Sequence, residues 1–287
     1  MVLCAGMGTR LRPLTEELPK PLVPIGDRSI LAHAATALAG LGLGEVVINT
    51  HWLPEVFPAA IRGLPLRARV VHEASLLGTA GGVAGARRWL GPPPVVVWNG
   101  DILVEPPLQE LLQWGGDGLC LAVAQRARGL GTVGCDGEGR VVRLRGEIFA
   151  EEAFGADYVG VAALGARCLA QLPPVGCLIG DYALPELRRG GSVATTLATG
   201  WWVDAGAPAA YLAANLEWLV RRGDARWIGP GAWIAPGVRV EQSIVGVGAR
   251  VGGRGELLRC VVWPHAEAVA PLSDSIVTGR GRVVSTR

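Results

Sequence analysis

Four short apolar runs in the first hundred residues are separated by Ala-, Leu- and Gly-rich segments of helical length. That alternation leaves few folds open. The runs lie at the N-terminus, at Glu45-Val46-Val47-Ile48-Asn49, at 68–73 and at Pro94-Val95-Val96-Val97-Trp98. Between them the spacing predicts helices over 30–41, with Ser29 as cap, over 53–61, shortened by Pro54 and Pro58, and over 81–89. Strand–helix alternation of this kind implies an α/β, Rossmann-like, mostly parallel sheet with helices on both faces. Ligands of such sheets sit at the carboxyl ends of the strands. The first run ends at Gly6-Met7-Gly8, the third at Glu73 and the fourth at Asn99-Gly100-Asp101. Three candidate site segments therefore share one edge.

The loop after the first strand carries two glycines, where backbone N–H groups can face a phosphate chain and a Cβ would keep the anion away. Arg10 and Arg12 add positive charge. No Gly-Lys-Ser/Thr closes the loop, so it is not a Walker loop, and Leu11 stands where the dinucleotide fingerprint needs its third glycine. Ten residues on comes Pro19-Lys20-Pro21-Leu22. Lys20 is the single lysine among 27 Lys plus Arg residues. Arg has replaced Lys wherever a solvated positive charge suffices. The ammonium that remains marks a site needing a compact point charge, such as a phosphate oxygen deep in a pocket.

Gly6-Met7-Gly8-Thr9-Arg10-Leu11-Arg12-Pro13-Leu14-Thr15 with Pro19-Lys20-Pro21-Leu22 resembles the signature of the sugar-1-phosphate nucleotidyltransferases, within them the mannose-1-phosphate guanylyltransferase branch. The family's first strand starts a few residues before the motif, and here Met1 falls inside that strand. The resemblance implies that Arg10 and Lys20 are catalytic and that Gly8 and Thr9 line the nucleotide. It also implies that backbone near Leu3, Ala5 and Gly6 encloses the nucleoside. Leu76-Leu77-Gly78-Thr79-Ala80-Gly81-Gly82 is similar to the family's base-recognition loop, with Glu73 and Gly78 on the nucleobase. Spacing alone reads that run as a tight turn into a helix equally well.

Two aspartates end apolar strands before Gly turns: Asp101, and Asp204 in Gly200-Trp201-Trp202-Val203-Asp204-Ala205-Gly206. Two carboxylates with open coordination positions suit Mg²⁺, which takes its other ligands from water and phosphate. The resemblance gives both that role, and gives Asp101 a catalytic one. The middle of the chain departs from the family. The Glu-Lys-Pro whose lysine meets the sugar phosphate has no counterpart, and the stretch reads Val141-Val142-Arg143-Leu144-Arg145-Gly146-Glu147. Arg143 or Arg145 can grip phosphate in a fork, and both also read as solvated strand residues. The expected sugar-phosphate residues are Gly131, Arg145 and Gly160. Gly180-Asp181-Tyr182 reads as a helix start, with its Asp a cap.

After a helix over 209–222 the chain changes character. Ile228, Ile234 and Val240 step by six, and so do Val245, Val251 and Leu257, with Gly or Pro between them. That is a hexapeptide pattern, three coils of a short left-handed β-helix, with Ile276 closing a further coil. Residues 1–223 are expected as the catalytic domain and 224–287 as the β-helix domain. Trp227, Trp233 and Trp263 read as anchors for another subunit of a homo-oligomer or for the catalytic domain, or equally as packing.

The chain is 287 residues long, 50% hydrophobic and 18% charged, enough for a substantial core, and its formal charge of +2 with scattered Arg argues against nucleic acid. Six cysteines without paired spacing read as buried thiols in a reducing, cytoplasmic setting, and no stretch reads as a membrane span. The expected reaction joins a nucleoside triphosphate and a sugar 1-phosphate into an NDP-sugar, most simply GTP with mannose 1-phosphate. The alternatives are a uridylyltransferase acting on another sugar 1-phosphate and a catalytically silent regulatory relative. A hexapeptide acyltransferase would rest on His265, a lone His at a coil corner.

Overall fold

The computed structural model describes residues 1–286. Its backbone forms two compact units, one of Met1–Gly6 with Ala34–Trp202, the other of Met7–His33 with residues 203 onward.

In the first unit the Val- and Ile-rich runs become strands of a ten-stranded sheet. We label nine of the ten β1 (Val2–Leu3), β2 (Glu45–Thr50), β3 (Arg67–His72), β4 (Val95–Asn99), β5 (Leu119–Arg126), β6 (Val133–Cys135), β7 (Val141–Leu144), β8 (Phe154–Leu164) and β9 (Val193–Leu197); the tenth is the two-residue edge strand Glu147–Ile148. The first four are parallel, as the alternation requires. β1 lies between β2 and β4, with Leu3 opposite both Asn49 and Asn99, and β3 flanks β2 with Thr50 opposite His72. Their carboxyl ends therefore line one edge. β9 adds a parallel pairing on β5. The antiparallel pairings gather on β8, which runs against β4, β5 and β6. The connection from β6 to β7 is short, and a short connection permits only an antiparallel neighbour. Val97, Leu119, Leu121, Leu144, Ala162 and Leu164 fill the core of this unit.

Helix α1 (Ile30–Ala39) starts where Ser29 was expected to cap it: the Ser29 hydroxyl accepts the Ala32 N–H at 3.2 Å. The expected helix over 53–61 is a 3₁₀ turn, Pro54–Val56, followed by one short helical stretch, Phe57–Ile61. The helix expected from Gly81 starts three residues earlier, as α2 (Gly78–Ala86), with a 3₁₀ turn over Arg87–Trp89. A remote partner explains the shift. The N–H groups of Ala80 and Gly81 donate to the Gly176 carbonyl at 2.9 and 3.4 Å, so the first turn finds its acceptor almost a hundred residues away.

The second unit contains α3 (Pro208–Arg222), with Pro at its first turn and Gly223 closing it at φ 72°. Asn215 on this helix is fully buried and accepts the Gly26 N–H at 2.9 Å. Tyr211 donates to the Pro24 carbonyl and accepts from the Trp263 indole at 3.0 Å. Beyond it come β10 (Trp227–Ile228), β11 (Trp233–Ile234), β12 (Val238–Glu241), β13 (Ile244–Val245), β14 (Arg250–Val262), β15 (Glu267–Val277) and β16 (Val283–Ser285). These are stacked parallel coils, apart from β16, which is antiparallel on β15. The six-step aliphatics stack in register: Ile228 on Val245, Ile234 on Val251, Val240 on Leu257. Ile276 pairs with Val261, continuing the stack. Of the three coil tryptophans, Trp263 is buried and Trp227 meets Trp218 edge-on at 6.1 Å, so both pack. Trp233 is exposed under the Arg250 guanidinium. His265 occupies a corner at φ 60°, its ring against Gly248, where a Cβ would fall 2.5 Å from its Nδ1.

Candidate active site

The expected residues divide between the two units. In the second, the loop from Met7 folds on itself. Gly8 takes φ 60°, and a Cβ there would lie 2.7 Å from the Thr15 methyl and 3.2 Å from the Lys20 Cβ. The Thr15 hydroxyl donates to the Gly8 carbonyl at 2.9 Å. Thr9 and Arg10 follow in a 3₁₀ turn with exposed side chains. Lys20 opens the third 3₁₀ turn of the segment, after Thr9–Leu11 and Leu14–Glu16, and is only 5% exposed. Its ammonium donates to Asp204 Oδ1 at 2.9 Å. The Arg10 guanidinium, 73% exposed, stands 3.6 Å from Asp204 Oδ2. A Cβ on Gly206 would lie 3.0 Å from Asp204 Oδ1 and 3.2 Å from Arg10 Cζ, so that glycine makes room for the pair. The Arg10 guanidinium faces water beside the half-exposed Asp204 carboxylate, with the Lys20 ammonium buried on the carboxylate's other oxygen. An incoming phosphate would meet the guanidinium directly.

In the first unit the strand ends are tied together by Asn49. Its side chain accepts the Cys4 N–H at 2.8 Å and donates to Glu73 Oε1 at 2.7 Å. Glu73 Oε2 in turn accepts the Leu77 N–H at 3.2 Å. Glu73 is 5% exposed, so its carboxylate organises the loop leading to Gly78. Gly78 has φ 76°, and a Cβ there would sit 2.4 Å from the Gly176 carbonyl. Gly82 lies against Asn49 and Glu73 with equally little room. Gly6 differs: it is exposed, and a Cβ there would meet nothing within 4 Å. Leu3 is half-buried and Ala5 buried beside it. Nothing in the spacing singled out Asn49 as a link. The only signal was a polar residue closing a buried strand.

Asp101 is half-buried just past β4, where the Gly100 N–H donates to the Leu3 carbonyl at 2.9 Å. Burial pushes the Cys4 thiol up, and the Asp101 charge adds to the shift. The Tyr158 hydroxyl is pushed up by burial, then by Cys177 and Asp101. Gly160 takes φ 77°, with Ile102 Cδ1 2.9 Å from where a Cβ would be. Gly131, at φ 78°, is a turn glycine pressed on the Ala156 carbonyl. Of the two candidate arginines, Arg143 is spent on structure. It pairs with Glu152 at 2.7 Å and donates to the carbonyls of Leu130 and Gly131. Arg145 pairs with no carboxylate among the described residues, and its guanidinium donates to the Cys177 sulfur at 3.5 Å.

Among the described residues no group of three or more His, Cys, Asp or Glu side chains could hold a metal ion. Asp101 in the first unit and Asp204 in the second each offer a single carboxylate, the kind of donor that suits a cation taking most of its ligands from phosphate and water. Among the described residues no helix is long and apolar enough to cross a membrane.

Residues 1–145 match the family model described as nucleotidyl transferase. A probable mannose-1-phosphate guanylyltransferase of rice is 28% identical over 88% of this chain and 74% of its own length. A mannose-1-phosphate guanylyltransferase of Mycobacterium tuberculosis is 36% identical over 50% of this chain and 42% of its own length. The crystal structure of HddC from Yersinia pseudotuberculosis complexed with GMP-PN covers 76% of this chain and 97% of its own, with a TM-score of 0.63 at 20% identity, a likeness of fold.

Proposed function

The chain belongs to the nucleotidyl transferase family, and from that premise we propose that it joins a nucleoside triphosphate to a sugar 1-phosphate, with GTP and mannose 1-phosphate as the pair. The names of the relatives supply the choice of pair. One observation carries the chemistry. The chain's one lysine, Lys20, is buried and holds its ammonium 2.9 Å from Asp204 with Arg10 beside it.

In this reaction a phosphate oxygen of the sugar 1-phosphate attacks the α-phosphorus of the triphosphate. A new P–O bond forms, the bond to the bridging oxygen breaks, and pyrophosphate leaves with the electron pair. The protein supplies little covalent chemistry; it holds two anions that repel each other and stabilises charge in line. Lys20 lies on the transferring phosphoryl group, where positive charge gains most in the transition state. Arg10 holds the leaving pyrophosphate. Backbone at Leu3, Ala5, Gly6, Gly8 and Thr9 faces the nucleotide. Gly6 supports this reading, because the fold itself leaves room for a side chain there. Glu73 and Gly78 present the loop that meets the base. Gly131, Arg145 and Gly160 serve the sugar phosphate. Mg²⁺ would be held by Asp101 and Asp204 and would supply charge neutralisation between the phosphates.

In this reading residues 1–223 are the catalytic part and 224–287 a short left-handed hexapeptide β-helix, supported by the in-register stacking of its six-step aliphatics. Exposed Trp233 and Val269 on the coils support a homo-oligomer through that part. Buried thiols at five of six cysteines support a cytoplasmic setting.

Pyrophosphate release across four nucleoside triphosphates and a panel of sugar 1-phosphates tests the proposal. Release that requires GTP and mannose 1-phosphate together is the expected result. No release in any combination, from folded protein that still binds a nucleotide, would refute catalysis.

A further inference from the structure

The loop that carries Arg10 and Lys20 belongs to the same compact unit as the coils, not to the sheet whose first strand it leaves. Both flanks of the Lys20 turn are tied to groups beyond residue 203. Downstream, Tyr211 of α3 donates to the Pro24 carbonyl, and Asn215 accepts the Gly26 N–H at 2.9 Å. The Trp263 indole of the coils donates to the Tyr211 hydroxyl at 3.0 Å and fixes it from behind.

Upstream, the tie is Glu17, three residues before Lys20. β15 and β16 are joined by a turn over 278–282, closed by the Thr278 N–H on the Arg282 carbonyl at 2.9 Å. Glu17 grips this turn with both oxygens. Oε1 accepts the Thr278 hydroxyl at 2.5 Å, and Oε2 accepts the Arg280 N–H at 3.0 Å. Thr278 is fully buried, so its hydroxyl loses an acceptor that water does not replace if Glu17 is removed. The neighbouring Glu16 pairs with Arg282 at 2.6 Å, but both ends are half-exposed and that contact adds little.

Behind the Lys20 turn lies a cavity of about 400 Å³, lined by Leu18, Leu22, Trp227 and Trp263 together with Glu17 and Arg280. Open space of that size forfeits the close packing that fixes most buried segments. The turn itself is three residues of 3₁₀ helix, Lys20–Leu22, with no long element to stiffen it. Its placement therefore rests on the directional bonds at its two flanks. An ammonium that must meet a phosphoryl oxygen tolerates little displacement, since a misplacement of about 1 Å costs about 10²-fold in rate.

We propose that Glu17 is a positioning residue for Lys20, and that the 278–282 turn is the anchor through which the coils set the geometry of the reaction. Glu17 touches no substrate and acts only through the lysine. The inference rests on the nucleotidyl-transfer reading above.

The test is steady-state kinetics on the full chain with GTP, mannose 1-phosphate and Mg²⁺, with thermal melting of each variant. Glu17→Ala should lower kcat by about 10- to 100-fold and leave both KM values within about twofold. Glu17→Gln, which keeps an acceptor for the Arg280 N–H and offers its amide to the Thr278 oxygen, should recover most of the loss. Thr278→Val should lower kcat by less than Glu17→Ala, because the Arg280 N–H still holds the carboxylate. Adding Glu17→Ala to Lys20→Ala should lower kcat no further than Lys20→Ala alone. A merely structural role would instead multiply the two losses. If Glu17→Ala is unfolded at the assay temperature, the same comparison is made with Thr278→Val. An unchanged kcat, or multiplied losses in the double variant, would overturn this inference and leave nucleotidyl transfer standing. If the unmodified chain releases no pyrophosphate with any pair of substrates, the functional reading fails and this inference with it.

Discussion

Lys20 and Asp204 are 184 residues apart in the chain and 2.9 Å apart in space, Nζ to Oδ1. Lys20 is buried at 5% exposure, whereas the Asp204 side chain is 39% exposed. The carboxylate therefore stays solvated without its ammonium partner, and Arg10 remains beside it. Solvent at the Asp204 end screens the pair and limits what it adds to stability. In the reaction the ammonium has a larger part, since charge develops on the phosphoryl oxygens. Lys20→Ala should lower kcat by about 10²- to 10³-fold with only a small shift in melting temperature. Lys20→Arg should fail to restore it, because a planar fork does not replace a compact charge at a buried position. Near-wild-type turnover in either variant would refute the assignment.

Gly6 and Gly78 are both expected at the nucleotide, but the structure treats them differently. A Cβ on Gly78 would be 2.4 Å from the Gly176 carbonyl, at φ 76°. Gly78→Ala should therefore destabilise the protein by about 1–3 kcal/mol, the range for strain at such a backbone position. Gly6 meets nothing within 4 Å. Gly6→Ala should melt like the unmodified protein while raising the KM for the triphosphate several-fold. Melting curves and nucleotide KM values for the two variants check the split. A Gly6→Ala protein with unchanged nucleotide KM would show that the loop does not approach the ligand there.

The parts of the fold that depend on short-range periodicity were legible. β1 to β4, the helix after Ser29 and the six-step aliphatics all stand where spacing put them, because each is set by burial of one face of a local element. What depends on remote partners was not. α2 begins at Gly78 because the Gly176 carbonyl receives its first N–H groups. Arg143 and Arg145 look alike in sequence, and only the folded chain pairs Arg143 with Glu152 while it sets Arg145 against Cys177. Asn49 links Cys4 and Glu73 through an amide that no spacing announces. The antiparallel arm around β8 follows from which strands meet, which alternation in the first hundred residues does not reach.

Removing the metal should abolish turnover. In the proposed reading the ion takes few ligands from the protein, so exchange with solution is expected. EDTA should stop pyrophosphate release, and excess Mg²⁺ should restore it fully on the same sample. Asp101→Asn should require a higher Mg²⁺ concentration for half-maximal rate. Undiminished release in EDTA would exclude this role for the two carboxylates.

Acid stability should depend on His33, whose Nε2 lies 2.9 Å from the Ile25 carbonyl. Burial lowers its pKa, against an opposing contribution from that hydrogen bond; Arg28 lowers it further and Asp27 raises it. The folded protein thus keeps a neutral ring at a pH where the unfolded chain, with an ordinary His pKa of about 6.5, takes up a proton. The unfolded state then binds more protons, so stability rises with pH across this window. The contribution is fully present well above pH ~6.5 and is lost as pH falls below it. Asp27, held low by Arg28, titrates far below this range and does not contribute. Melting temperature should fall between pH 7.5 and 5.5, and His33→Gln, which keeps a donor for the Ile25 carbonyl, should flatten that slope. Parallel slopes for the variant and the unmodified protein would assign the acid sensitivity to another group.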